Sequence, residues 1–193
     1  METSPGQKPP PLDRNAWIKG ALTALADQGP AGLRVEVLAK RLNVTKGSFY
    51  WHFRDRRDLF DAVLDEWKDG RIRDIRKQTT ATAGGERAAL RHTIEVYSAS
   101  RNRKGLPIEL AVREWARHDA RAAAVVEEVD AERVLCAERL FQLIGMPAGQ
   151  AKARSILLYA YVFGFSLMRC DRFAGDIAAA KDWIVDAVAG TNP

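Results

Sequence analysis

Only two cysteines stand in the 193-residue chain, Cys136 and Cys170, both inside apolar helical patterns and neither at a metal-ligand spacing. That scarcity excludes a disulfide framework, gives no support to a zinc site and fits a reducing cytoplasm. Strand signals are missing too. Nowhere do alternating β-branched residues sit between turn clusters, whereas a 3.6-residue apolar period recurs from Arg14 onward, so the chain is expected to be all α. Long apolar runs are also lacking. The longest, residues 156–168, contains Gly164 and Ser166 and falls well short of the ~20 residues that cross a bilayer, so no membrane partner is expected. Residues 1–11 hold four of the eight prolines and no apolar stretch of a signal peptide. Residues 1–12 therefore read as a disordered tail, and export by that route is not expected.

Catalytic signatures are absent as well. There is no GxGxxG, GxSxG, HExxH or P-loop pattern. Glu127, Glu128, Asp130 and Glu132 alternate with basic residues on one helix, as a solvated face does, and His92 and His118 have no second ligand at a metal-site spacing beside them. Neither catalysis nor a cofactor or metal is expected.

What the chain does have is an apolar content of 47%, enough for a continuous core, and an uneven distribution of charge. The net charge is +5, and four of those units fall within residues 1–60, where ten Lys and Arg face six acids. An anion-binding surface, if the chain has one, is N-terminal.

Helical periods are expected over 13–28, from about 33 to 42, over 45–53 and over 55–80, with Asp13, Thr45 and Asp55 as N-caps, Asp58 in a position resembling a capping box, and Asn43 as the left-handed residue between the second and third helices. Further helices are expected over 86–102, 107–118, 120–144, 148–172 and 176–189. The domain boundary is placed within the fourth helix: residues 13–60, which carry the basic excess, form one unit and residues 61–193 a helical bundle.

Two amphipathic helices joined by a short turn, the second short and basic, make a helix-turn-helix. With Phe49 and Phe53 turned inward, the second helix displays Thr45, Lys46, Ser48, Tyr50, Trp51 and His52, donors and flat rings suited to base edges and phosphates, and Gly47 allows close backbone approach. Tyr50 and Trp51 as packing aromatics, with Lys46 a solvated charge, is the plainer alternative.

The run LNVTKGSFYWHFRDRRDLFDAVLDEW, residues 42–67, resembles the DNA-binding domain of the TetR family of bacterial repressors, and the resemblance extends over about residues 13–67. It implies an all-α, two-domain architecture in which a three-helix DNA-binding domain is joined by a long fourth helix to a bundle. It implies base-facing positions at Lys46, Gly47 and Ser48 and phosphate-gripping positions at Tyr50, His52 and Arg56, with Trp51 between the two roles. Asn43 replaces the family's usual turn Gly, and Arg34 stands where a capping Ser or Thr is common, which leaves Arg34 as a phosphate-contact candidate. The segment PIELAVREWARHD, residues 107–119, looks like one seen in a subset of members.

Residues 156–168 are apolar on every side, and a helix of that kind must be covered all round. A second subunit supplies the cover in one reading, with Ala160 and Gly164 allowing close approach; a central core helix of a monomer is the other. The resemblance favours the first, since the last two helices of TetR-type subunits form the dimer interface, which here includes Trp183. It also places Tyr97, Ala111, Trp115, Phe141, Tyr159 and Phe163 on helices that line an effector cavity. Changes at Ala111 or Trp115 are then expected to alter the effector response and spare the operator affinity of the ligand-free protein. The expected function is repression through a double-stranded DNA operator, relieved by a small-molecule effector. A ligand-independent architectural DNA binder is the alternative.

Overall fold

The computed structural model describes residues 12–81, 84–98, 105–168, 172 and 174–190. Among these residues no strand occurs, and the chain order is α1 (Arg14–Gln28), a 3-10 turn (Gly29–Leu33), α2 (Val35–Arg41), α3 (Lys46–Phe49), α4 (Arg56–Thr79), α5 (Glu86–Ser98), α6 (Gly105–Ala116), α7 (Ala120–Leu143), α8 (Ala148–Leu167) and α9 (Ala174–Ala189). The all-α, two-domain TetR-like architecture expected from the sequence is the one observed. No described helix is long and apolar enough to cross a membrane.

The caps explain where helices start. Asp13 accepts a hydrogen bond from the Ala16 backbone N–H at 2.7 Å, and Asp55 accepts one from Asp58 at 2.9 Å. The Asp58 carboxylate in turn accepts from the Arg54 backbone N–H at 3.1 Å, a near relative of the capping box shifted one residue ahead of the N-cap, so that one orphaned helix N–H and the N–H of the residue leading into the cap are both satisfied. Asp119 caps α7 in the same way, accepting from Ala122 at 2.9 Å. At the end of α2, Asn43 takes a left-handed φ of 54°, and the Val44 N–H reaches back to the Ala39 carbonyl at 2.9 Å, the long closing bond of a Schellman turn.

The 3-10 turn after α1 is not among the expected elements. Gly29-Pro30 stops α1, but the chain tightens for one more turn and buries Leu33 before α2 begins.

Two hydrophobic clusters organise the molecule. The first joins Trp17, Leu25, Leu38, Phe49, Phe53, Leu59 and Val63 of the N-terminal helices with Val112 and Trp115 of α6 and with Val125 and Val129 of α7. The core of the N-terminal helices is therefore continuous with one end of the bundle. The second cluster gathers Leu90, Ile94, Phe141, Leu158, Tyr159, Val162, Val185 and Val188 from α5, α7, α8 and α9.

The acidic stretch of α7 differs from the expectation of a solvated face. Glu128 pairs with Lys68 of α4 at 3.0 Å and Glu132 with Arg76 of α4 at 2.7 Å. Asp130 receives two hydrogen bonds from Arg113 of α6, at 2.9 and 2.6 Å, and one from Arg133 at 2.7 Å. Helical periodicity puts charges on a face, and only the tertiary arrangement shows that α4 and α6 lie against that face.

Candidate DNA-binding site

Phe49 and Phe53 are buried as expected, stacked on each other with centroids 5.2 Å apart, and Trp17 of α1 meets Phe49 edge-on at 5.5 Å. This aromatic trio anchors α3 to α1. Regular α-helix covers only Lys46–Phe49, shorter than the expected 45–53, because the chain then tightens: Tyr50, Trp51 and His52 donate to the carbonyls three residues back, Gly47, Ser48 and Phe49. The tighter turn brings Phe53 under Phe49 and throws Tyr50 and Trp51 outward. Tyr50 is 57% exposed and keeps one edge-on contact with Phe49 at 5.2 Å, whereas Trp51 is 87% exposed and its ring does not serve the core of this chain. Burial of apolar rings is worth ~25 cal/mol per Å², and leaving an indole this open forgoes most of that gain unless a partner covers it.

The remaining candidates sit on the same surface or beside it. Thr45 has the extended backbone of an N-cap, but its side chain makes no capping hydrogen bond. Gly47 and Thr45 are exposed, and Ser48 and His52 are half-buried. Arg34 is exposed, caps α2 by backbone geometry only, and donates through Nε to the Ala31 carbonyl at 3.2 Å. Arg56, in the first turn of α4, lays its guanidinium over the Phe60 ring at 4.6 Å from the centroid.

Lys46 is not a free cation. Its Nζ donates to Glu36 Oε1 of α2 at 2.5 Å. The hydrogen bond to Glu36 holds the Lys46 ammonium above the usual lysine range, and the same bond to Lys46 holds the Glu36 carboxyl below the usual glutamate range. Sequence reasoning does not single out Glu36. The available signal is an acid in the first turn of α2, ten residues before a lysine that the resemblance puts at a base-facing position, but its meaning depends on the angle between α2 and α3.

The effector-pocket candidates do not come together as one group. Phe141 and Tyr159 are buried in the second cluster, with Phe163 packed at its margin. Ala111 and Trp115 belong to the first. Trp115 meets Phe60 of α4 edge-on at 4.9 Å, because α6 packs against α1 and α7 and directs this ring toward the first cluster. The Tyr97 side chain lies outside the described residues. Phe163 carries two guanidinium groups on its ring, Arg113 at 4.4 Å and Arg133 at 5.1 Å. Ala160 and Gly164 are exposed on the outer face of α8, and Trp183 of α9 is 65% exposed. Among the described residues no group of three or more His, Cys, Asp or Glu is placed to hold a metal ion.

A short outward-facing helix, braced by a second across a left-handed turn and rooted in an aromatic core, defines the helix-turn-helix class of regulators. Residues 18–63 match the family model described as bacterial regulatory proteins, tetR family. The tetracycline repressor protein class C of Escherichia coli is 44% identical over 54 residues, which cover 28% of this chain and 25% of that repressor. The HTH-type transcriptional regulator AcrR of Shigella flexneri is 29% identical over 123 residues, 61% of this chain and 54% of AcrR. The chain thus spans between a quarter and about half of these relatives' lengths. A transcriptional regulator from Rhodococcus sp. Rha1 shares the fold with a TM-score of 0.68 at 20% identity, over 93% of this chain and 94% of that one. Residues 18–63 therefore carry the DNA-binding module of the TetR family of bacterial regulatory proteins, and the rest of the chain shares the fold of the solved regulator.

Proposed function

We propose that this protein is a homodimeric transcriptional repressor. Residues 13–60 grip a double-stranded DNA operator, and residues 61–193 provide the dimer contact and hold the small-molecule effector that releases the DNA. The observation that carries the reading is the outer face of residues 45–52, where Tyr50 and Trp51 stand open to solvent between Lys46 and Arg56 on a segment rooted by buried Phe49 and Phe53. Phosphate contacts from Tyr50, His52, Arg56 and Arg34 fix the register on the duplex. Lys46, Gly47 and Ser48 meet base edges. Footprinting of the full-length protein on the DNA flanking its own gene is expected to protect an inverted repeat whose half-sites are one helical turn apart. Uniform, sequence-independent protection would remove the repressor reading and favour an architectural binder.

The dimer reading is supported by an apolar strip that this chain leaves uncovered. Ile156, Leu157, Leu167 and Met168 at α8 are exposed together with Trp183 of α9, while the opposite side of α8 is buried through Ala151, Leu158, Tyr159 and Val162. A Cβ added at Gly164 meets nothing within 4 Å. Among the described residues nothing calls for a glycine there, whereas a second copy lying close against α8 would.

A further inference from the structure

The carboxylate of Glu36 stands beside the surface assigned to DNA, where an acid repels phosphates and needs a reason. Its partner supplies one. Lys46 is the first residue of α3, Glu36 lies in the first turn of α2, and their Nζ and Oε1 atoms are in hydrogen-bond contact at 2.5 Å, with both side chains more than half exposed, at 53% and 64%. The two helices therefore hold a donor and an acceptor side by side, with fixed polarity, at the end of α3 where base-facing residues begin.

We propose that Glu36 is a specificity-determining residue and that Glu36 and Lys46 read one G·C base pair as a unit, the Lys46 ammonium donating to guanine O6 and N7 and the Glu36 carboxylate accepting from the cytosine N4 amine. The inference rests on the DNA-binding reading above. Its logic is complementarity. In the major groove a G·C pair presents two acceptors followed by a donor, N7, O6 and then N4. A lysine–glutamate pair offers the opposite sequence. A T·A pair also places an acceptor next to a donor, O4 beside N6, but it sets a methyl group against the ammonium and the N7 acceptor against the carboxylate, so each end is mismatched. With Lys46 alone the ammonium would accept guanine in many positions. The carboxylate fixed beside it adds the penalty against wrong pairs that specificity requires.

The test is selection of binding sites from a randomised duplex library by the full-length wild type and by Glu36→Ala, Glu36→Gln and Lys46→Ala, with thermal melting confirming that each is folded. Wild type is expected to select an inverted-repeat operator with one G·C position per half-site, preferred over other pairs by roughly 5- to 150-fold. Glu36→Ala is expected to lose the preference at that position alone and to hold nonspecific duplex at least as tightly as wild type, because a repelling charge has gone. Glu36→Gln, whose amide pairs well with adenine, is expected to shift the position toward A·T. Lys46→Ala is expected to lose the same position. If wild type selects an operator and Glu36→Ala and Glu36→Gln select the same bases equally strongly, the proposal fails while the DNA-binding reading stands. If folded wild type selects no sequence, both fail.

Discussion

Gly47 shows how a residue of the proposed DNA-reading surface can run against the protein's own stability. A Cβ added at Gly47 would meet Thr45 Oγ1 at 3.8 Å and nothing nearer, which is ordinary contact, and in a helix alanine is favoured over glycine by roughly 0.5–1 kcal/mol. Folding alone would therefore favour alanine at this position. Gly47→Ala is expected to raise the melting temperature slightly and to weaken operator binding at least about fivefold, ~1 kcal/mol, as the methyl group keeps the backbone from the bases; melting curves and fluorescence-anisotropy titration check the two halves. Equal operator affinity would mean that position 47 does not approach the DNA. Asp58 behaves in the opposite manner, its carboxylate serving the fold. The Arg54 backbone N–H holds the carboxyl below the usual aspartate range, against the upward push of burial and with help from the charges of Arg14 and Arg54. A pKa lowered by folding adds stability that is present above the unfolded value, about 3.9, and is lost as the pH falls through that value toward the folded one. The melting temperature of Asp58→Asn is accordingly expected to lie below wild type at pH 7, with the gap closing below about pH 4.

Among the elements, α6 and α7 form a hairpin held by charge as well as by apolar packing. Arg133 of α7 is 1% exposed and donates to Glu109 of α6 at 2.8 Å, while Arg113 donates to the other Glu109 oxygen at 2.9 Å. Burial pushes the Asp130 carboxyl upward, but the hydrogen bonds and charge of Arg113, joined by Arg133, prevail and hold it low. Removing one partner of a buried pair leaves the other charge uncompensated, which costs about 3–5 kcal/mol, whereas replacing both by apolar side chains is often neutral. Glu109→Leu alone is expected to lower stability by about that amount, and Glu109→Leu with Arg133→Met to recover most of it; chemical denaturation of the three proteins measures the difference. If the double variant is no more stable than the single one, Glu109 is needed for Arg113 rather than for Arg133. This hairpin also marks where sequence stops being informative. Helix periods, the caps at Asp13 and Asp55, the left-handed Asn43 and the inward Phe49 and Phe53 are local facts with local signatures, so they are legible. Arg133 and Glu109 are 24 positions apart, and each reads as one more surface charge until two helices are set against each other. Glu36 and the 3-10 turn at Gly29–Leu33 escape for related reasons, the one depending on an interhelical angle and the other on Leu33 seeking the core.

At the scale of the whole molecule, the proposed function requires two surfaces to work together, the apolar strip on α8 and α9 and the proposed reading surface around α3. Gly164→Trp places an indole where the proposed partner's backbone comes close and no described residue of the chain itself comes within 4 Å of an added Cβ, so the variant is expected to fold and to sediment as a monomer at micromolar concentration where wild type is a dimer. A monomeric wild type would end the dimer reading. Between the two surfaces runs α4, tied to α7 by pairs from Arg121 to Asp65, Lys68 to Glu128 and Arg76 to Glu132. Each has one partner more than half exposed and is worth at most about 1 kcal/mol, so the pairs guide α4 without locking it. The tighter link is aromatic. Trp115 of α6 meets the Phe60 ring edge-on at 4.9 Å, and the Arg56 guanidinium, a proposed phosphate contact, stacks on the same ring at 4.6 Å. From sequence alone, a change at Trp115 should alter effector response and spare operator affinity. The contact with Phe60 reverses the second half of that expectation, because a shift of Trp115 reaches Arg56 through a single ring. Trp115→Leu, which keeps an apolar side chain and removes the edge-on contact, is therefore expected to weaken operator binding by the ligand-free protein about tenfold, ~1.4 kcal/mol. Phe163→Leu, at the margin of the second cluster, is expected to leave that affinity within about twofold. The two variants are compared by anisotropy titration on the footprinted operator at one salt concentration, since phosphate contacts make affinity strongly salt-dependent. Wild-type affinity in a folded Trp115→Leu would show that α6 does not set the position of Arg56, and the link between bundle and DNA would then have to run through the α4–α7 ion pairs.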